Sequence, residues 1–151
     1  MKNIINFKST KEITLFLYRL IGVFFITAAL GKSANSSQIE LVLSFLGFPS
    51  YISEIIIYSL IIFEISLGLL IVFKIYNLYT IPISVFTLIF FIGILVYLFF
   101  NPEAPECGCM GNIRLFSNSR SENLFGVFRN FCFIFITIIC WFHLFREKTD
   151  H

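Results

Sequence analysis

Four long apolar runs, separated by short polar segments, set the layout of the chain. They cover about residues 13–31, 51–73, 78–100 and 123–145. Each is close to the ~20 apolar residues that carry a helix across a bilayer. Residues 33–50 follow a different pattern, polar and then amphipathic. Ser37 and Glu40 have the spacing of a capping box, in which each side chain satisfies a free backbone N–H at a helix start. A short helix over residues 39–46 follows from that spacing, ended by Gly47 and Pro49. It is too short to span, which places it at the membrane interface. Lys74-Ile75-Tyr76-Asn77 reads as a tight turn, and Pro82 falls in the first turns of the third run, where a missing N–H costs little. Ser119 and Glu122 repeat the capping-box spacing, and Trp141 near the end of the fourth run suits an interface. The expected fold is all-α: an integral membrane four-helix transmembrane bundle, with a short interfacial helix between spans one and two. Residues 1–151 read as one domain.

Composition sharpens this reading. The chain is 58% hydrophobic and 13% charged, whereas soluble domains run nearer half apolar and about a quarter charged. A soluble fold could not hide that much apolar surface, so the lipid bilayer is the first partner implied. A net charge of +2 gives no case for nucleic acid. The 21 Phe residues, among many Ile, Asn and Lys, read as a compositional habit and not as an aromatic binding box. Ala28-Ala29-Leu30-Gly31 resembles a signal cleavage site, but the first run is long for a signal core and carries Arg19, so it reads as an uncleaved helix.

Basic residues set the expected orientation. Four spans put both termini on one side, with Lys2, Lys8, Lys11, Lys74, Arg146 and Lys148; the other side holds Lys32, Arg114 and Arg120. Both termini are therefore expected in the cytoplasm of a cell whose cytoplasmic (inner) membrane holds the bundle. The 101–118 connection then faces outward, where disulfides form and persist.

Three charges fall within the spans: Arg19, Glu64 and Arg129. Charge at membrane depth must find a partner or water. Counting ~1.5 Å of rise per residue from the inner ends puts Arg19 and Glu64 close enough to pair. Gly22 shares a face with Arg19, and Gly68 with Glu64, which allows close helix approach. The pair serves either as a structural clamp or as a polar floor under a ligand cavity. Arg129 lies near the outer end of span four, within reach of Glu54 or of the cysteine loop, where it would favour a thiolate.

The reactive groups are concentrated in Glu106-Cys107-Gly108-Cys109-Met110-Gly111-Asn112. Two thiols one residue apart form a dithiol/disulfide couple or half of a metal site. Zinc wants four ligands, and only His143 and His151 remain, at the opposite end, so no metal is expected. A Cys-x-Cys ring is strained, and strained, exposed disulfides are the labile, catalytic ones. Gly108 and Gly111 relieve the local backbone. A structural bridge over three residues would constrain almost no chain entropy. Cys132 and Cys140 lie in an apolar run and read as packing residues.

In order and spacing these residues resemble the methylamine-utilisation MauE family, within the DoxX-like four-helix membrane proteins. Arg19, Gly22 and Lys32 match the family's first span; Glu64, Gly68 and Leu70 match its second. Cys107 to Gly111 match its Cys-Gly-Cys-Phe-Gly except that Met110 replaces Phe, and Arg129-Asn130 match its Arg-Asn pair. The resemblance covers about residues 15–142. It implies a role in methylamine metabolism, in maturing an exported, disulfide-rich dehydrogenase subunit beside a thioredoxin-like partner. It also implies a fold similar to vitamin K epoxide reductase and other quinone-linked disulfide generators. Those enzymes usually relay electrons between two cysteine pairs, and Cys132 and Cys140 are not spaced as a second pair. Two functions are carried forward. One is a thiol–disulfide oxidoreductase with Cys107 and Cys109 as its catalytic pair, Arg129, Gly108, Gly111 and Asn130 in support, and a quinone as electron sink or source. Its partner is an exported thioredoxin-like or disulfide-containing client. The other is a non-catalytic scaffold or assembly subunit for an exported redox protein.

Overall fold

The computed structural model describes the backbone of residues 2–75, 77–105, 107 and 119–149, and the side chains of residues 12–75, 79–105, 107 and 119–142. Among these the chain forms five helices and no strand: α1 (Lys2–Ala34), α2 (Ser36–Phe45), α3 (Ser50–Val72), α4 (Asn77–Phe100) and α5 (Ser119–Thr149). Four carry segments long and apolar enough to cross a membrane: Glu12–Ala34, Ser50–Val72, Tyr79–Phe100 and Ser119–Phe142. The four spans lie where the sequence places them, and the chain is a multi-pass membrane protein.

The joint before α2 differs from expectation. α1 continues to Ala34, so α2 follows after Asn35 alone and starts at Ser36, ahead of the expected residue 39. Asn35 is the N-cap and makes no capping hydrogen bond through its side chain. Ser37 is thus already inside the helix, and the Ser37–Glu40 capping box does not form the start. At the expected Ser119–Glu122 cap, α5 starts at Ser119 itself, with Glu122 in its first turn. Helix ends at the two tight turns share one device. Phe48 N–H donates to Leu43 O at 3.0 Å and Gly47 N–H to Ser44 O at 3.0 Å, with Gly47 at φ 88°. Ile75 N–H likewise donates to Leu70 O at 3.0 Å and Lys74 N–H to Ile71 O at 3.2 Å, with Lys74 at φ 57°. Both are left-handed terminations that satisfy carbonyls orphaned at a helix end.

α1 packs chiefly on α3 and α4 on α5; α5 closes against α1, and α2 lies on α3. The α1–α3 crossing is set by two glycines. A Cβ at Gly22 would stand 2.9 Å from Gly68 O, and one at Gly68 would stand 2.8 Å from Gly22 O. Backbone meets backbone there, as small residues permit within membranes. Tyr18, Ile21, Phe25, Leu67 and Ile71 are buried around it. Phe16, Tyr58, Phe86 and Phe128 are exposed on the outer faces, which suits a surface solvated by lipid. The antiparallel order gathers α2, the start of α3, the end of α4, the start of α5 and Cys107 at one end of the bundle.

Candidate functional site

The first part of the cysteine connection, residues 101–107, is tethered at several points. Asn101 Nδ2 donates to Tyr97 O at 2.7 Å, tying the start of the connection to the last turn of α4. Ala104 N–H donates to Asn101 O at 3.1 Å, and Ala104 is buried against Val42 of α2 and Leu98 of α4. Asn123, on the first turns of α5 and only 1% exposed, then reaches across sixteen residues. Its Oδ1 accepts from Cys107 N–H at 3.0 Å, and its Nδ2 donates to Pro105 O at 3.5 Å. Cys107 is half-buried and disulfide-bonded, while Cys132 and Cys140 are free. Cys109, Gly108 and Gly111 lie outside the described residues. Cys140 is a packing residue, buried with its Sγ donating to Thr14 O at 3.3 Å. Asn123 was missed by sequence reasoning. An Asn in the first turns of a helix carries no local signal of a partner sixteen residues upstream.

The intramembrane ion pair is built differently from expectation. Glu64 Oε1 accepts from Lys32 Nζ, not from Arg19. The crossing at Gly22 and Gly68 fixes an antiparallel register that sets Glu64 level with Ile26, between Arg19 and Lys32. Helical side chains tilt toward the N-terminus, so Lys32 leans toward that level and Arg19 away from it. Arg19 lies thirteen residues before Lys32, about 20 Å along the helix, and is exposed. The depth count assumed that both apolar runs start at one level, whereas α1 is offset along its axis. Lys32 was assigned to the outer surface; it is 5% exposed, with Nζ 4.8 Å from the Phe91 ring centroid. It therefore leaves the tally of loop charges that sets orientation, which becomes six against two.

Arg129 belongs to the same layer. Its guanidinium lies 4.8 Å from the Phe24 ring centroid, and its electrostatic partners are Glu122 and Glu64. Glu54, the expected partner, is exposed on α3. Asn130 is buried beside Arg129 on α5. Two side-chain atoms of the layer, Glu64 Oε2 and Arg129 Nε, are buried without a hydrogen-bond partner among the described residues.

A cavity of about 290 Å³ separates the ion pair from the cysteine connection. Val42, Leu43 and Leu46 of α2, Ile56 and Leu60 of α3, and Phe90, Phe91 and Ile94 of α4 line it. Lys32 and Cys107 are its two walls that are not hydrocarbon. α2 forms much of the lining because its buried face, Ile39, Val42 and Leu43, points inward. The site is thus an almost wholly apolar chamber that Cys107 and the paired Lys32 both border.

These features define a class: a four-span membrane bundle with a charged layer in its core and a tethered cysteine loop at one end. The family profile of methylamine utilisation protein MauE matches residues 10–143. That is most of the chain, which belongs to the MauE family. No curated protein and no solved structure matches it.

Proposed function

We propose that the protein is a membrane thiol–disulfide exchange protein serving maturation of an exported protein in methylamine utilisation. The observation that carries this reading is the seat of Cys107: disulfide-bonded, held through its own backbone N–H by Asn123, and on the wall of an apolar chamber. A purely structural bridge has no use for such a setting. Cys107 and Cys109 form the couple, on the extracytoplasmic side of the cytoplasmic membrane, with both termini in the cytoplasm. One thiolate of an exported thioredoxin-like dithiol attacks the couple, forming a mixed disulfide and releasing one cysteine as a thiol. The partner's second thiolate then attacks that mixed disulfide, closes the partner's own disulfide and releases the other cysteine. The couple is then a dithiol, and a membrane quinone takes its two electrons and two protons. Arg129 and Asn130 support the site through the packing of α5 and not by contact with Cys107.

A maleimide gel shift in whole cells tests the reading. Cys107 and Cys109 should gain two maleimide additions after dithiothreitol and lose them after oxidant. A couple that never changes state would end the proposal. Replacing both by serine separates this reading from a non-catalytic scaffold, since a scaffold would keep full activity without its thiols.

A further inference from the structure

The redox reading leaves the buried charge layer without a task, and the chamber joins it to Cys107. The chamber reaches the surface beside Phe48 and Phe90, both exposed. In a bundle whose outer faces lie in lipid, a guest entering there must itself partition into the bilayer. Inside, it meets hydrocarbon walls, and Lys32 is the one basic residue among those that border them. An ammonium carries three N–H donors. Glu64 takes one, and among the described residues the others have no acceptor. Glu64 Oε2 and Arg129 Nε are also unpartnered. Buried polar groups left in this state are rare and costly, so the layer holds unused hydrogen-bonding capacity, donors on Lys32 and Arg129 and an acceptor on Glu64, that a polar guest can fill. The volume sits at the lower end of the ~300–1,000 Å³ typical of small-molecule sites, enough for a ring and the start of a tail.

We infer that this chamber, entered from the lipid, binds a lipophilic quinone whose carbonyl oxygen accepts a hydrogen bond from Lys32, with Cys107 of the couple also bordering the chamber. The inference rests on the redox reading above and adds the acceptor's site and its donor. The step balances. Two S–H bonds break and one S–S bond forms, while two electrons and two protons pass to the carbonyl oxygens and give a hydroquinone. Lys32 stabilises the charge that develops on the nearer oxygen. Glu64 is a positioning residue, since it aims the ammonium without touching the guest.

The test uses the full chain in lipid nanodiscs, a decyl-substituted benzoquinone as probe, and the same tail on a carbonyl-free benzene ring as competitor. The quinone should bind and the competitor should fail to displace it. Ile94→Trp, which fills the chamber and leaves the ion pair intact, should weaken binding at least tenfold. Lys32→Met should do the same, and Ile94→Trp carries the test alone where Lys32→Met does not fold. Equal displacement by the competitor, or unchanged binding to folded Ile94→Trp, overturns the inference. Single-turnover reduction of the probe by pre-reduced protein addresses the redox reading separately. The Cys107→Ser/Cys109→Ser protein should reduce nothing. Reduction that persists without the thiols sinks the redox reading while leaving the quinone site in place.

Discussion

Asn123 Oδ1 accepts a hydrogen bond from the backbone N–H of Cys107 at 3.0 Å, so the first turns of α5 fix where Cys107 sits. The same side chain reaches Pro105 O. Asn123→Ala removes both bonds and leaves a semi-buried N–H unsatisfied, a change worth about 1–3 kcal/mol. Hydrogen exchange over residues 101–107 should quicken, and phosphine should reduce the Cys107 disulfide faster. The thermal midpoint of the whole bundle should move little, because the tether lies outside the helix crossings. Unchanged reduction kinetics would mean that Asn123 does not hold the loop.

The Lys32–Glu64 pair is buried on both sides, at 5% and 1% exposure. Removing one partner strands a charge in low dielectric, which costs about 3–5 kcal/mol. Lys32→Met and Glu64→Leu should each lower stability by that order in denaturant titrations in mixed micelles. The double variant should recover a large part of the loss, since no lone charge remains. Arg19→Met, on an exposed position of α1, should change stability by less than about 0.5 kcal/mol.

At the α1–α3 crossing a methyl group meets a carbonyl oxygen. Gly22→Ala and Gly68→Ala should each cost about 1–3 kcal/mol, because the two backbones must move apart. A Cβ at Gly93 would meet nothing within 4 Å. Gly93→Ala should therefore be neutral, or stabilising by up to about 1 kcal/mol through helix propensity. The contrast is read from thermal midpoints of the three variants side by side.

Labelling can fix the orientation. In a chain whose native cysteines are replaced by serine, Glu103→Cys should react with a membrane-impermeant maleimide added to whole cells. Lys74→Cys, at the α3–α4 turn, should react only after lysis. The opposite pattern would put the cysteine connection in the cytoplasm and remove the oxidising setting that the proposed exchange requires.

The four spans were legible because each is a long apolar run, a signal that depends on nothing elsewhere in the chain. The close approach at Gly22 and Gly68 was legible for a similar reason: small residues on a span face have few other uses. The partner of Glu64 was not. Which cation it meets depends on how far α1 slides along α3, and that is set by the glycine crossing rather than by the ends of the apolar runs. Lys32 looked like a residue of the outer surface because it sits at the end of its run, but α2 folds back beside it and closes it off. The roles of Asn123 and Ala104 were hidden too, since each is defined by contacts across helices. The chamber follows from the inward face of α2, whose amphipathic pattern was visible although its start was misplaced by three residues.

Asn123 follows Cys107 by sixteen positions and belongs to α5, a helix that leaves the ribosome after the cysteine connection. The mooring of the sulfur couple therefore cannot be finished until that helix has been synthesised and threaded into the bilayer. A nascent chain halted before that point would display its thiols without their anchor, so the topology itself imposes an order: insertion first, chemistry second.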